Sequence, residues 1–203
     1  MDPIDNLANI FKRFPGIGVR QARRFVYFLL NAPDEYKKEL IKELSNLNSN
    51  ISTCPSCFIH FARNDEDFCD ICRKKTLDTT SLLVVEKDSD CESFKRTHAH
   101  KGKYFILGSL VPPVEKNVQS HIRERELIKI IKDRASEGLK EIILAFPATP
   151  DGEHTDSYIR NTLKDLTDEN NIKITSLGRG LSTGSEPEYA DSETLKSALG
   201  NRH

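Results

Sequence analysis

Leu82-Leu83-Val84-Val85-Glu86 is an apolar run closed by a carboxylate, and it is the first of four runs that indicate the fold class. Three similar short runs follow it, over Tyr104 to Leu107, Ile142 to Phe146 and Ile172 to Leu177. Each run precedes a polar segment that can carry a helix. Because buried strands that alternate with helices are typical of parallel sheets, the pattern predicts an α/β fold with a mostly parallel, four-stranded sheet and flanking helices.

The chain before residue 48 has the apolar spacing of helices instead. Apolar residues recur every three or four positions in three pieces, which begin at Ile4, Ala22 and Tyr36. Phe14-Pro15-Gly16-Ile17-Gly18 separates the first piece from the second and has the composition of a tight turn. The sequence therefore predicts an amino-terminal helical region whose first two helices form a hairpin.

Charge and apolar content restrict the class of protein. The 203 residues carry 30 Lys and Arg against 31 Asp and Glu, so the formal net charge of −1 argues against a generally basic nucleic-acid binder. The longest apolar run, over 25–30, is far shorter than the ~20 residues of a membrane-spanning helix. Since the amino terminus lacks the positive flank and apolar stretch of a secretory signal, we expect a cytoplasmic protein with no membrane partner.

A local basic surface nevertheless surrounds the predicted hairpin turn. No acidic residue occurs over 6–33. The same segment contains five positive residues, namely Lys12, Arg13, Arg20, Arg23 and Arg24. If the chain binds DNA, we expect the DNA phosphates to contact this segment.

The turn itself has the residues of a phosphate site. Gly16 and Gly18 flank Ile17 and let the backbone turn and approach a ligand, and the free N–H groups of the next helix favour an anion. Arg20 and Arg24 are four residues apart on that helix, so both can reach one DNA backbone. The alternative is an ordinary helix turn with a solvated basic helix. We prefer the DNA-binding interpretation, which resembles a helix-hairpin-helix motif.

Two Cys-x-x-Cys pairs, Cys54 with Cys57 and Cys69 with Cys72, predict one zinc ion per chain. Two tight knuckles can offer four thiolates to the corners of one tetrahedron, and four thiolates leave no open position, so the zinc is structural. The alternative is a set of structural or redox thiols without a metal. His60 lies between the pairs and is more simply explained as a surface residue than as a competing ligand.

Carboxylates follow two of the predicted strands. Glu86 ends the first apolar run with Asp88 and Asp90 after it, and Asp151 and Glu153 follow the third run. Because the carboxyl ends of parallel strands lie at one edge of a sheet, these acids could bind a weakly held Mg²⁺ or a partner there. The alternative is helix capping, because acids stabilise the first turn of a following helix.

Other segments carry no defined chemistry. No Gly-x4-Gly-Lys-Ser/Thr loop occurs, so the sequence has no visible apparatus for nucleoside-triphosphate hydrolysis. The irregular stretches over 108–119 and 178–190 are candidate functional loops. His98 and His100 have neither metal-site nor catalytic-triad spacing.

In this order, the hairpin around Phe14 to Gly18, the four-cysteine element and the sheet that opens with Val84-Val85-Glu86 resemble the bacterial RecR family of recombination mediators. The resemblance continues through Tyr104 to Gly108, Thr149 to Glu153 and the closing stretch Glu188 to Arg202, so it covers nearly the whole chain. The chain departs from the family pattern at three places, with Thr97-His98 for Thr-Gly, Gly108-Ser109 for Gly-Gly and Pro147-Ala148 for Asn-Pro.

The resemblance implies an organisation in four parts. These are a helix-hairpin-helix DNA-binding and oligomerisation region over 1–52, a four-cysteine zinc finger over 53–77, a Toprim domain over 78–177 and a carboxyl-terminal loop and helix over 178–203. Arg20 and Arg24 match the family's basic pair, and the four cysteines match its zinc ligands. Glu86, Asp90 and Glu153 match its acidic positions, which serve partner and DNA interaction more than chemistry.

The resemblance also implies a non-catalytic role in DNA repair. Proteins of this kind form dimers or ring tetramers, bind single- and double-stranded DNA without sequence preference, and act with RecO and RecF to load the RecA recombinase at single-stranded gaps. The competing class is a Mg²⁺-dependent Toprim nuclease or primase-like enzyme that would use Glu86, Asp151 and Glu153, although Asp-x-Glu is weaker than the Asp-x-Asp expected of such enzymes. A zinc-ribbon RNA-binding protein is a third alternative, which tighter binding of RNA than of DNA would favour.

Overall fold

The computed structural model of the chain describes residues 2–74, 76–113 and 122–200. The chain divides into two compact units, Met1–Ser52 and Thr53–His203. The predicted loop over 108–119 lies only in part within the described residues, and the end of the predicted closing stretch at Arg202 lies outside them.

The first unit consists of three helices, α1 (Pro3–Phe11), α2 (Val19–Asn31) and α3 (Asp34–Asn50). Its small core is formed by Ala8, Ala22 and Val26, with Phe11 packed edge-on against Phe25 at 5.6 Å between ring centroids. None of the described side chains of α3 is buried within this unit. The helices that the apolar spacing predicts are therefore present, and much of their apolar surface is exposed.

The turn between α1 and α2 uses its two glycines differently. Gly16 has φ +75°, in the left-handed region that only glycine adopts without strain. Gly18 has φ −85° and is the residue that precedes α2, and a Cβ atom there would meet nothing within 4 Å. Gly16 is thus required by the turn, whereas Gly18 leaves the amino terminus of α2 uncovered.

Replacing Gly16 by alanine is expected to lower the free energy of unfolding of the first unit by about 1–2 kcal/mol, because a Cβ strains a left-handed residue by that amount. Urea titration followed by helical circular dichroism measures the loss. Gly18→Ala is the matched control, since its backbone conformation suits any residue, and its loss of stability should be smaller, limited to the poorer N-cap that alanine makes. Equal losses in the two variants would contradict the assigned turn conformation.

A small cysteine-containing element follows α3 and leads into the second unit. Its parts are the two-stranded sheet of β1 (Ile51–Thr53) and β2 (His60–Ala62), followed by the single turn of α4 (Asp70–Arg73). Phe58 has φ +63° in the turn that carries the first cysteine pair, and its ring packs edge-on against Phe105 at 5.4 Å. Phe68, in contrast, is 43 % exposed, so not every phenylalanine of this element packs into a core.

A parallel sheet with helices forms the rest of this unit, which confirms the predicted fold class. Its strands lie in the order β4-β3-β5-β6, and every described pairing is parallel. The elements are β3 (Asp78–Val85), α5 (Asp88–Thr97), β4 (Gly102–Ile106), α6 (Glu124–Ala135), β5 (Glu141–Ala145), α7 (Pro150–Asn170), β6 (Lys173–Ser176), a 3-10 turn (Pro187–Tyr189) and α8 (Ser192–Gly200).

Successive residues of β3 belong to different clusters of the core, as the alternation of side chains across a strand requires. Leu82 and Val84 pack in one cluster with buried side chains of α6 and α7. Leu83 and Val85 pack in the other with Cys91 of α5 and with the cysteine-containing element. That element therefore shares its core with one face of the sheet.

Candidate metal centre and nucleic-acid interface

The fold brings the four predicted ligands together. The Sγ atoms of Cys54, Cys57, Cys69 and Cys72 all lie within 4.8 Å of one another, and those of Cys57 and Cys69 are 3.4 Å apart. A tetrahedral site with metal–sulfur bonds of about 2.3 Å places its sulfurs roughly 3.8 Å apart, so the four thiols have the spacing of such a site. Among the described residues, this is the one group able to hold a metal ion.

Two backbone turns position these thiols. The Cys54 N–H donates to the Ile59 carbonyl at 3.0 Å, and the Phe58 N–H donates to the Cys54 carbonyl at 2.9 Å, which closes the first knuckle. Cys69 precedes α4, and the Arg73 N–H donates to its carbonyl at 3.1 Å, which closes the second. Three of the cysteines are buried and Cys72 is half-buried, so the centre is shielded from water.

The thiols interact strongly enough to change their ionisation. Hydrogen bonds from Cys57, Cys69 and Cys72 lower the pKa of the Cys54 thiol far below its ordinary value. Burial raises the pKa of the Cys91 thiol to about 12, so that cysteine stays protonated and outside the metal-binding group. The same hydrogen bonds among the four thiols raise the pKa of the Cys57 and Cys72 thiols, so one proton is shared unevenly among close neighbours, and it is the spacing of the four Sγ atoms that indicates a metal site.

His60 is placed away from these donors. Its Nδ1 atom lies 2.9 Å from the Asp88 carboxylate, and its backbone N–H donates to the same carboxylate at 2.9 Å. The ring is exposed and is not one of the grouped metal donors. His60 links the cysteine-containing element to the start of α5.

The predicted DNA-binding residues lie on the exposed surface of the first unit. Arg20 and Arg24 are both exposed on α2, and no acidic side chain forms an ion pair with either among the residues described. Arg23, in contrast, donates to the Asp5 carboxylate at 2.7 Å, and this pairing raises the pKa of its guanidinium. Arg20 and Arg24 are thus exposed for contact with a ligand, whereas Arg23 is held in an ion pair within the unit.

The predicted acidic edge is not assembled as a metal site in the described part of the chain. Glu86 has the Lys87 ammonium at 3.6 Å, and the Asp90 carboxylate accepts from the Lys87 N–H at 3.3 Å. Asp151 and Glu153 lie in the first turn of α7. These positions match the helix-capping interpretation and leave the acids exposed or half-buried at helix starts.

Sequence patterns missed several residues that organise this unit. Arg179, in the glycine-rich loop, forms an ion pair with Glu153. Arg123 lies over the Phe58 ring, with its guanidinium carbon 5.0 Å from the ring centroid. Arg134 is buried on α6, where it continues the helical spacing of Leu127 and Ile131, and a charged residue in an apolar stripe is a signal that the sequence did contain.

The fold and these sites define a class of protein. Residues 80–177, which span the parallel sheet, match the family model of the Toprim domain. The described residues contain no helix long and apolar enough to cross a membrane. The class that the fold and these sites define is therefore a Toprim-domain protein with a basic helical hairpin and four cysteines that could hold a metal ion.

Comparison with known proteins then identifies the family. The chain is similar to three proteins named Recombination protein RecR, from Brachyspira hyodysenteriae, Ureaplasma urealyticum and Lactobacillus helveticus. Their identities are 37 %, 36 % and 32 %, over 98 %, 97 % and 98 % of this chain and 95 %, 93 % and 96 % of theirs. This chain belongs to the RecR family, which confirms the resemblance carried by its motifs.

Proposed function

We propose that this protein is a cytoplasmic recombination mediator in DNA repair, which acts with RecO and RecF to help load RecA at single-stranded gaps. The observation that carries the proposal is the near-full-length similarity to proteins named for recombination, at 32–37 % identity. The order of hairpin, cysteine-containing element and Toprim sheet supports it. We retain the division at 1–52, 53–77, 78–177 and 178–203 as part of this proposal.

The DNA contact in this proposal is the α1–α2 hairpin. The uncovered amino terminus of α2 after Gly18 and the exposed Arg20 and Arg24 offer backbone N–H groups and positive charge to phosphates. In this proposal these groups contact phosphates and not base edges. Binding to single- and double-stranded DNA should therefore be independent of sequence.

The metal in this proposal is one structural zinc ion per chain, held by Cys54, Cys57, Cys69 and Cys72. When bound, zinc supplies cross-linking of the two knuckles and no catalysis, because four thiolates fill its coordination. The buried apolar residues of the short cysteine-containing element pack in the same cluster as Leu83 and Val85 of the sheet. The free energy of metal binding is then part of the free energy of folding.

The acidic residues that follow the carboxyl ends of β3 and β5 have a non-catalytic role in this proposal. The Glu153 carboxylate is paired with Arg179, and Asp90 accepts a backbone hydrogen bond at the start of α5. We assign Glu86, Asp90, Asp151 and Glu153 to contact with partner proteins, with Mg²⁺ binding weak at most.

Incubation with Mg²⁺ and either single- or double-stranded DNA should leave the DNA intact and unextended, as judged by denaturing gels. Cleavage or primer synthesis would overturn the non-catalytic assignment in favour of a Toprim nuclease or primase-like enzyme. The positive test is faster RecA assembly on DNA coated with single-strand-binding protein when RecO and this protein are added together. No acceleration in that assay would contradict the mediator function.

We also propose that the protein self-associates, forming a dimer or a ring tetramer. The first unit exposes large apolar side chains on α2 and α3, among them Phe28, Ile41 and Leu44, each more than half exposed. Exposed apolar side chains of this size favour an interface with another copy of the chain. Light scattering should give a particle mass of at least two chains.

A further inference from the structure

The proposed metal centre carries a net negative charge, which positive groups of the same unit must compensate. Four thiolates and one divalent ion carry a net charge of −2, and Cys54, Cys57 and Cys69 are buried. Burying charge is costly unless opposite charge lies nearby. The surroundings of the two knuckles should therefore contain cations.

Arg134 of α6 approaches the first knuckle. It is only 8 % exposed, and its Nη2 donates to the Ser56 hydroxyl at 3.3 Å, between Cys54 and Cys57 in the chain. Its buried Nη1 has no hydrogen-bond partner among the residues described. Burial lowers the pKa of the Arg134 guanidinium, and the thiols of the cluster and the Glu137 carboxylate act in the opposite direction.

Lys103 of β4 approaches the second knuckle. Its Nζ lies within hydrogen-bond distance of three backbone carbonyls, at 3.3 Å from Ile71, 3.4 Å from Cys72 and 3.3 Å from Lys74. Lys103 and Arg134 line one cavity of about 590 Å³ together with Cys72. Each knuckle is thus approached by a cation from the Toprim part of the chain, and the same cavity is also lined by Lys129 and by the carboxylates of Glu126, Asp133 and Glu137.

We propose that Arg134 and Lys103 are counter-cations of the metal centre, one beside each knuckle, and that their positive charges offset its net charge of −2. The burial of Arg134 and the missing partner of its Nη1 are then explained by the thiolates. Because the cations lie on α6 and β4, they also fasten the metal-bound knuckles to the sheet. Both are positioning residues, and neither is a ligand.

Arg134→Gln is expected to weaken zinc binding by about 10–100-fold, as loss of an outer-shell partner typically does, measured by competition with a coloured chelator. Arg134→Lys keeps the charge and should recover most of the affinity. Lys132→Gln removes a charge from an exposed position of the same helix and is the matched control, with affinity unchanged. Cobalt substitution should give the absorption of a four-sulfur site in every variant, because no ligand has been altered.

This inference rests on the proposed metal site, and the experiment separates the two. A parent chain that binds no zinc would refute the metal site itself. If the parent chain binds zinc, parental affinity in Arg134→Gln, or equal losses in Arg134→Gln and Arg134→Lys, would overturn the charge-balance proposal alone. Should Arg134→Gln fail to fold, Lys103→Gln at a half-buried position makes the same comparison, with weaker zinc binding expected and parental binding overturning the proposal.

Discussion

Replacing Cys69 by serine is expected to abolish stoichiometric zinc binding and to lower the thermal transition of the second unit by roughly 8–16 °C. Loss of a structural metal belongs to the few mechanisms that cost on the order of 4 kcal/mol, and a domain of this size loses about 2–4 °C for each kcal/mol. The effect should reach the sheet, because Cys69 packs in the same cluster as Leu83 and Val85. Calorimetry with zinc analysis of the same sample measures both quantities.

Cys91→Ala is the control for this substitution. Cys91 is 1 % exposed and packs in the same cluster, but it lies outside the metal-binding group. Its replacement should keep one zinc ion per chain and cost less stability than Cys69→Ser. A Cys69→Ser protein with an unchanged transition would refute a metal centre that supports folding.

The double substitution Arg20→Ala with Arg24→Ala is expected to weaken DNA binding and to flatten its salt dependence. Each phosphate neutralised contributes about −0.9 to the slope of log affinity against log salt on duplex DNA, so two lost contacts change the slope by roughly two units, and by more in an oligomer. Titration of labelled duplexes at several salt concentrations measures the slope. Duplexes of different sequence should respond alike, because phosphate contacts carry no sequence information.

Arg23→Ala is the matched control on the same helix. Its guanidinium is already paired with Asp5, so its removal should change the slope less than the loss of Arg20 or Arg24 does. If the double variant retained the parental affinity and slope in the same oligomeric state, the hairpin would not be the DNA contact. The loop over 178–190 would then be the next region to test.

The sequence was sufficient to predict the elements whose apolar pattern is strong. The run Leu82 to Val85 lies within β3, but that strand begins four residues earlier at Asp78, where polar side chains give no apolar signal. The strand order could not be predicted from this pattern, because an alternation of strands and helices does not indicate which strands are neighbours in the sheet. The two cysteine pairs were visible because tight spacing in the chain itself sets their geometry.

Long-range electrostatic contacts could not be predicted in the same way. Arg179 pairs with Glu153 and Arg134 reaches Ser56 across large separations in sequence, and no local motif records either contact. A departure from the family pattern gave a partial signal at Thr97-His98. His98 directly follows α5 and has φ +51°, in the left-handed conformation that glycine adopts without strain.

The central position of β3 in the sheet also sets an order of assembly. Its pairing with β4 closes the short segment over 86–101, whereas its pairing with β5 must close the segment over 86–140. Since the entropy lost on loop closure grows with loop length, we expect the β3–β4 pair to form first and β5 to dock later. During synthesis, one edge of β3 then stays open until β5 has left the ribosome, and this edge is where a nascent chain is most exposed to misassociation.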